Sequence, residues 1–596
     1  MENNEILQIQ KQIESLPKGS ITVKKINGKE YEYWQFRENG HQIARRVKGE
    51  ELETLRVQIS ERKRLEQFLK KNGVKKLADP VSIIPLDDGL QSLIRIGDDL
   101  LRFAEPVKAF KKREIFDQLE AYLNCSVNDR VFILYGLRRT GKTTMIRQAV
   151  LSMSPDMQQR AAFIQVSPEQ TLGSLNHDLK LLEAAGIRYV FIDEVTLLAD
   201  FIEGAAMFSD IFAASGMKIV LSGTDSLGFL FAQDEQLYDR CIMLHTTFIP
   251  YREFVRVLDI RGIDQYIRYG GTMSLGGVEY NKKEMPFSSE DRTNEYVDSA
   301  IARNIQHSLR NYQHEGHFRA LYDLYKNGEL TSAINRVVED MNHRFTLEVL
   351  TRAFISHDLG VSRTNLRNDR GKNSDVLDHI DEAAVTERLK NLLDIRERDE
   401  LKVALSEEHV REIREYLEML DLIHDIDIEF SGSSHKRGKR TVFTQPGIRY
   451  AQAEALITTL LQDEVFRRIG VKERMRITQR ILDEIRGRMM EDIILLETGL
   501  ACPDRQVFTL QFAKGEFDMV SFDPCSVSCS IFEIKHSSKT APEQYRHLSD
   551  SKMLAETKHQ YGEIQGKYVI YNGENSNIGD IQYLNAEDYL LGLKSS

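Results

Sequence analysis

Residues 20–48, SITVKKINGKEYEYWQFRENGHQIARRVK, alternate apolar and polar positions around two turn signals, Asn27-Gly28 and Asn39-Gly40. That period predicts a small antiparallel sheet, with the only tryptophan, Trp34, inside it. Over Glu50–Lys71 the spacing lengthens to a helical period among many charges and stops near Asn72-Gly73, so a strand-then-helix module closes by residue 80. Residues 108–124 read as a helical approach to VFILYGLRRTGKTTMIRQAV, which passes from buried strand through a glycine-bounded loop into a helix. Further strands are expected at 162–166, 189–192 and 218–221, separated by helical stretches, the alternation of a parallel sheet covered by helices. Segments over 290–425 are mostly helix-periodic, and GRMMEDIILLE, QFAKGEFDMVSF, SCSIFEIKH and KYVIYNGE then restore mixed helix and strand.

The expected fold is therefore multidomain α/β. Its parts are a basic module at 1–80, a linker at 81–104, an α/β core at 105–260, a helical region at 261–477 and a second α/β domain at 478–596. A chain of 596 residues has length enough for several cores. With 41% hydrophobic and 29% charged residues, collagen-like, disordered and disulfide-framework classes fall away. Five cysteines without a CxxC pair point away from a zinc ribbon or a secreted scaffold and fit a reducing cytoplasm. No apolar run approaches the ~20 residues a membrane span needs, and MENNEILQIQ has no basic start followed by an apolar stretch, so a soluble, cytoplasmic protein is expected. The net charge of −11 does not mark a nucleic-acid binder, but residues 1–80 hold 17 Lys and Arg against 12 Asp and Glu. That module is either a nucleic-acid contact or an oligomerisation or spacer element.

GLRRTGKT satisfies G-x-x-x-x-G-K-[ST] directly after a strand and before a helix. Gly136 and Gly141 let the loop Leu137, Arg138, Arg139, Thr140 wrap phosphates with backbone N–H groups, and the helix N-terminus adds its dipole. Lys142 is expected to reach the β- and γ-phosphates of ATP and Thr143, followed by Thr144, a magnesium ion. Fifty residues on, YVFIDEV ends an apolar strand in Asp193, expected to hold the magnesium, and Glu194, expected to polarise the attacking water. The strand in MKIVLSGTDS brings Ser222, Thr224 and Asp225 to the end where ligands collect, and one of them is expected to sense the γ-phosphate. Arg240 in LYDRCIM is either a stabiliser of transition-state charge, within the subunit or across an interface, or a surface ion pair.

GLRRTGKTT, IDEV, LSGTDS, LYDR and TTFIPYREFVRVL resemble the prokaryotic AAA-type P-loop ATPases that continue into a winged-helix region and a C-terminal restriction-endonuclease-like domain. The resemblance covers residues 105–590 and leaves the N-terminal module outside. It implies an ATPase role for Arg240, and it leaves open whether such a chain forms a homo-oligomeric ring or acts as a monomeric switch.

SHDLGVSRTNLRND at 356–369 has the short helix, turn and polar second helix of a helix-turn-helix. After it come a helix, a strand, a basic loop (Lys436, Arg437, Lys439, Arg440) and a returning strand, which resembles a winged helix with a basic wing; the alternative is an interdomain packing module. Four cations could neutralise phosphates without reading sequence. In the last domain Asp518 is followed 15 residues later by Glu533 and, two on, Lys535, which period-two alternation sets on one face. Paired carboxylates bind magnesium, which activates water, while a lysine steers that water or stabilises charge, as phosphodiester chemistry needs. Glu491 offers a third acid, and Gln544 is expected to fix the lysine or touch a phosphate. The order resembles the PD-(D/E)xK nuclease pattern; the plain alternative is a cross-strand ion pair on a sheet face. His536 reads as a polar surface residue, and Cys525 and Cys529 with it make no convincing zinc set.

The leading expectation is an ATP-driven switch that governs cleavage of nucleic acid, DNA rather than RNA, with no membrane partner. The competing ones are a nucleotide-controlled scaffold that cuts nothing and a nucleic-acid binder whose affinity ATP sets.

Overall fold

The computed structural model describes residues 16–17, 19–26, 29–38, 41–71, 89–126, 129–198, 200–224, 226–273, 318–355, 405–432, 437–462 and 470–593. The chain forms two units, Met1–Ile84 and Pro85–Ser596. In the first, β1 (Ser20–Ile26), β2 (Lys29–Glu38) and β3 (His41–Arg46) make an antiparallel sheet in chain order. The registers Ile26↔Lys29 and Glu38↔His41 leave two residues for each turn, as the Asn-Gly pairs predict. Helix α1 (Glu50–Lys71) has the expected bounds, and Leu52, Leu55 and Ile59 on one face close a small core with Val47, Ile21 and Trp34.

The second unit opens with a six-stranded sheet. Its strands are β4 (Leu93–Ile96), β5 (Val131–Tyr135), β6 (Ala161–Gln165), β7 (Tyr189–Asp193), β8 (Lys218–Gly223) and β9 (Cys241–His245). Their order is β4-β6-β7-β8-β5-β9, all parallel except β4, which pairs antiparallel to β6. The inner strands are buried along almost their whole length and mostly apolar, as strands covered on both faces are. The edges escape that pattern: β4 is four residues long, and β9 is mostly half-buried, with Ile242 exposed and Leu244 buried. The sheet therefore begins at Leu93, inside the stretch 81–104 expected as linker.

The C-terminal sheet overturns the expected boundary at 477/478. Strands β10 (Ile423–Phe430) and β11 (Arg437–Phe443) form the hairpin read as a wing, but β10 pairs in parallel with β12 (Gln506–Gln511), from Asp427↔Phe508 to Phe430↔Gln511. With β13 (Glu516–Asp523), β14 (Ser528–Lys535), β15 (Glu563–Tyr571), β16 (Ser576–Ile578) and β17 (Ile581–Asn585) they make one eight-stranded sheet, β11-β10-β12-β13-β14-β15-β17-β16. Pairing with β10 spares β12 an open edge, which neither segment reveals alone. Among the four cations of the expected wing, Arg437 and Lys439 have side chains 77% and 67% exposed, Arg440 is buried at 8%, and Lys436 lies outside the described residues. The helix-turn-helix at 356–369 also lies outside them.

A further helix, α4 (Val471–Ala501), crosses the expected boundary. It follows α2 (Tyr251–Leu258) and α3 (Glu407–Met419) in the chain, and one core joins Phe248, Tyr251 and Phe254 of the first sheet's side to Ile485 and Ile494 of α4 and Met519 and Phe532 of the second sheet. Burying one continuous apolar surface ties the two sheets together more firmly than a linker would.

Candidate functional site

Strand β5 ends in the phosphate loop, and the loop's backbone is where the glycines are required. Gly136 has φ 138° and an added Cβ would stand 2.5 Å from Thr246 O; Gly141 has φ 94°. Arg139 also takes a left-handed φ of 66°, and Met273 N donates to its carbonyl at 2.8 Å. Thr140 Oγ1 donates to Leu137 O at 2.8 Å and lies 2.9 Å from Thr246 Oγ1. Lys142 Nζ donates to Gly136 O at 2.7 Å and Leu137 O at 2.8 Å, the carbonyls it would leave to meet phosphate. Burial pulls its pKa down to about 8, against the opposing charges of Glu194 and Asp193.

Thr143 Oγ1 donates to Asp193 Oδ2 at 2.9 Å, and Ser222 on β8 donates to Asp193 Oδ1. The hydroxyl and carboxylate give a hard, all-oxygen donor set, so the residues fit a magnesium ion that draws its remaining ligands from phosphate and water. Glu194 sits at φ 57°, and its Oε2 accepts from Thr224 N and Oγ1, both at 3.3 Å. Burial raises the Glu194 pKa, with Lys142 opposing. Ser222 and Thr224 thus stand where the sequence sets them, Asp225 lies outside the described residues, and Arg138 and Thr144 flank the same turn. Arg240 does not join them. Its carbonyl accepts from Val131 N at the start of β5, the end away from Gly136, and its Nη1 pairs with Asp210 at 2.8 Å, both side chains half exposed. A role for Arg240 within its own subunit's site is overturned, because a β-strand of five residues separates the two ends.

Three residues of this site escaped the sequence reading. Arg113 reaches Thr140 O at 3.0 Å and Thr247 O at 3.2 Å and pairs with Glu253 at 2.6 Å. His245 closes β9 stacked on Tyr135 at 4.7 Å, and burial lowers its pKa to about 4, helped by Lys142 and Arg113. Thr246 follows it. The only signal was the run TTFIPYREF, which contains Thr246 and Glu253; Arg113 lies far upstream with none.

A second cluster forms at the β13–β14 pairing. Asp518 Oδ2 accepts from Ile534 N at 2.7 Å and Lys535 Nζ at 2.8 Å, and Lys535 Nζ stands 2.7 Å from Glu533 Oε2. Glu491 on α4 is held by Arg488, and burial lifts its pKa to about 7 with Arg488 opposing. Burial pushes Asp518 up too, but Lys535 and the Ile534 N–H outweigh it and leave the carboxyl below its ordinary range. Burial lowers the Lys535 pKa, and the charges of Asp518, Glu533 and Glu491 reverse that and raise it well above the ordinary value. So Glu491, Asp518, Glu533 and Lys535 do come together. Gln544 does not: its side chain accepts from Ala541 N at 3.1 Å and donates to Lys539 O at 2.8 Å, capping its own turn. The residue that reaches the cluster is His547, 3.1 Å from Glu533 Oε1. A metal ion does not fit this arrangement, because Lys535 fills the space between the carboxylates, and among the described residues no group of three or more ligating side chains is set to hold one. His536, expected as a surface residue, contacts Asp264 at 2.9 Å and joins the two halves of the unit.

Residues 128–255 match the family model described as AAA domain, the stretch that carries β5 to β9 and the phosphate loop. No curated protein matches the chain. Among solved structures, that of the Aeropyrum pernix Orc1 protein in complex with DNA is 12% identical, with 62% of this chain and 99% of that one covered at a TM-score of 0.21. At that score the likeness bears on nothing further. Among the described residues no helix is long and apolar enough to cross a membrane. The chain thus contains an AAA-type P-loop domain.

Proposed function

We propose that this AAA-type domain binds and hydrolyses ATP and relays its nucleotide state to a C-terminal domain that acts on nucleic acid. One observation carries the reading: buried polar contacts, joined through the first turn of α2, connect the phosphate loop to the helix bearing Glu491. Arg113 holds the Thr140 carbonyl with one nitrogen and Glu253 with others. Glu253 lies in the first turn of α2, and the N–H of Tyr251, which opens that helix, donates to Glu497 Oε1 at 2.7 Å. Glu497 and Glu491 share α4. A loop that closes on phosphates shifts the Thr140 carbonyl, and a packed, hydrogen-bonded chain transmits the shift rather than absorbing it.

Lys142 would exchange two loop carbonyls for phosphate oxygens. Thr143 and Asp193 would hold Mg2+, which supplies charge neutralisation at the β- and γ-phosphates. Glu194, fixed by Thr224, would orient the attacking water. For the second domain, nucleic acid is the partner, DNA ahead of RNA, on the strength of the basic N-terminal module, the exposed Arg437 and Lys439, and the resemblance of Glu491, Asp518, Glu533 and Lys535 to a nuclease pattern. A second reading, binding without cleavage, is favoured by Lys535 standing between the two carboxylates. Arg240 keeps a role only across a subunit interface.

The test compares wild type, Glu194→Gln and Lys535→Ala on plasmid, duplex, single-stranded DNA and RNA, with magnesium or manganese, with and without ATP. Cleavage that needs ATP and disappears in Lys535→Ala supports a nuclease under ATP control. ATP-dependent binding without cleavage gives the second reading. ATP turnover as fast in a folded Lys142→Ala protein as in wild type would sink both.

A further inference from the structure

A cavity of about 490 Å3 lies between α3, the hairpin β10–β11, α4 and the helix Leu330–Ile355. Six of its lining residues are basic, Arg344, Arg414, Lys439, Arg440, Arg449 and Arg488, against two that are acidic. None of them belongs to the phosphate loop. The three guanidiniums at its floor are partnered unequally. Arg449 is fully engaged, with Asp492 Oδ2 at 3.0 Å, Thr441 O at 2.9 Å and Asn342 Oδ1 at 3.2 Å. Arg488 gives Nη1 to Glu491.

Arg440 is different. It is 8% exposed, its Nε stands 3.1 Å from Asp492 Oδ1 without the geometry of a hydrogen bond, and its Nη1 and Nη2 have no hydrogen-bond partner among the described residues. Asp492 is one carboxylate in contact with two buried guanidiniums, while Glu491 and Glu516 act on Arg440 only through their charge and leave its fork without a direct partner. Buried donors without acceptors are rare in folded proteins, and a fork left open beside a basic cavity can receive an anion. Rim cations face partly paired surroundings: Arg414 donates to Thr441 Oγ1 at 2.8 Å and contacts Asp425, and Lys439 stands 3.8 Å from Asp425. A guanidinium fork matches two oxygens of a phosphate, and the cavity lies in the range of about 300–1,000 Å3 typical of sites for small ligands.

We propose that this cavity binds a phosphate ester of nucleotide size, its phosphate seated on the two unpaired nitrogens of Arg440 and its body directed to Arg344, Arg414 and Lys439. The binding stands whether or not the neighbouring carboxylates cut. Because Arg488 lines the cavity and also holds Glu491, an anion that draws Arg488 changes the charge that Glu491 feels. The ester could be a free nucleotide or the phosphate of a nucleic-acid strand, and the two differ in how affinity grows with length.

The experiment titrates the full chain by calorimetry, its P-loop kept saturated with magnesium and a non-hydrolysable ATP analogue. The probes are thymidine 3′,5′-bisphosphate and 5′-phosphorylated tetrathymidylate. One saturable site per chain is expected, weakened by added salt, and at least tenfold weaker in Arg440→Gln. Arg344→Gln, at an exposed rim position outside the packed core, is expected to weaken binding several-fold and guards against a folding defect in the first variant. Equal affinity for the two probes identifies a free nucleotide, and tenfold tighter binding of the tetranucleotide identifies a strand; both support the site. No saturable binding of either probe, or wild-type affinity in both variants, overturns it.

Discussion

Nη2 of Arg113 stands 2.6 Å from Oε2 of Glu253, and the two side chains are only 3% and 2% exposed. The same guanidinium donates to the carbonyls of Thr140, Thr247 and Phe248, while Glu253 also accepts from the backbone of Glu114. A buried pair with all its remaining donors satisfied fastens three segments at one point: the stretch before the sheet, the phosphate loop, and the start of α2.

Replacing Arg113 by Ala leaves buried Glu253 with only the half-exposed Arg256, 3.4 Å from its other oxygen, as a cation. The expected cost is about 3–5 kcal/mol of unfolding free energy, the usual penalty for breaking a buried pair from one side. Urea denaturation measures it. A loss below about 0.5 kcal/mol would mean that water reaches Glu253 freely, as at a surface ion pair.

Gly136 holds a backbone that a side chain cannot follow. In Gly136→Ala the new Cβ meets Thr246 O, a backbone atom that cannot swing aside, at a left-handed φ. Nucleotide affinity is expected to fall at least tenfold, with a stability loss of about 1–3 kcal/mol from strain. Fluorescent-nucleotide binding and a thermal melt, side by side, check both.

Burial lifts the Glu497 pKa to about 7, from an ordinary value of 4.5. The folded chain therefore keeps a proton that the unfolded chain releases between these values, so stability falls as pH rises through the window and levels off above it. Glu497→Gln keeps an acceptor for Tyr251 N but cannot titrate. It is expected to melt at a higher temperature than wild type near pH 8 and no higher near pH 5. A melting difference that does not change with pH would contradict the assignment.

Lys535 holds Asp518 and Glu533 together, and without it two buried carboxylates repel. In Lys535→Ala the Asp518 pKa should climb from below its ordinary range to above it, so the penalty grows with pH. Because Lys535 is one-third exposed, water shares the compensation, and about 1–3 kcal/mol near pH 8 is expected, shrinking towards pH 5. Thermal melts across that range show whether the slope takes this sign.

Much of the nucleotide site was legible in the residues themselves. Gly136, Gly141, Lys142 and Thr143 are contiguous, and Asp193-Glu194 end an apolar strand, so local conformation is enough to place each group on its loop. The set Asp518, Glu533, Lys535 was legible because neighbouring antiparallel strands bring near residues together. Gln544 and His547 sit three apart in two successive turns, and which of them reaches Glu533 depends on the direction each turn takes, which spacing does not encode.

Local patterning along the chain accounts for the strands buried on both faces, the helix Glu50–Lys71, the phosphate loop and the E-x-K strand. Packing at long range sets the pairing of β10 with β12, the place of Arg240 at the far end of β5, and the link that Arg113, Glu253 and Glu497 make between the two sheets. The reason is physical. Periodicity reports how one segment meets water, whereas strand pairing and buried charge compensation depend on partners about 80 to 250 residues away in the chain, and the edge strands β4 and β9, at four and five residues, are too short for a period to show.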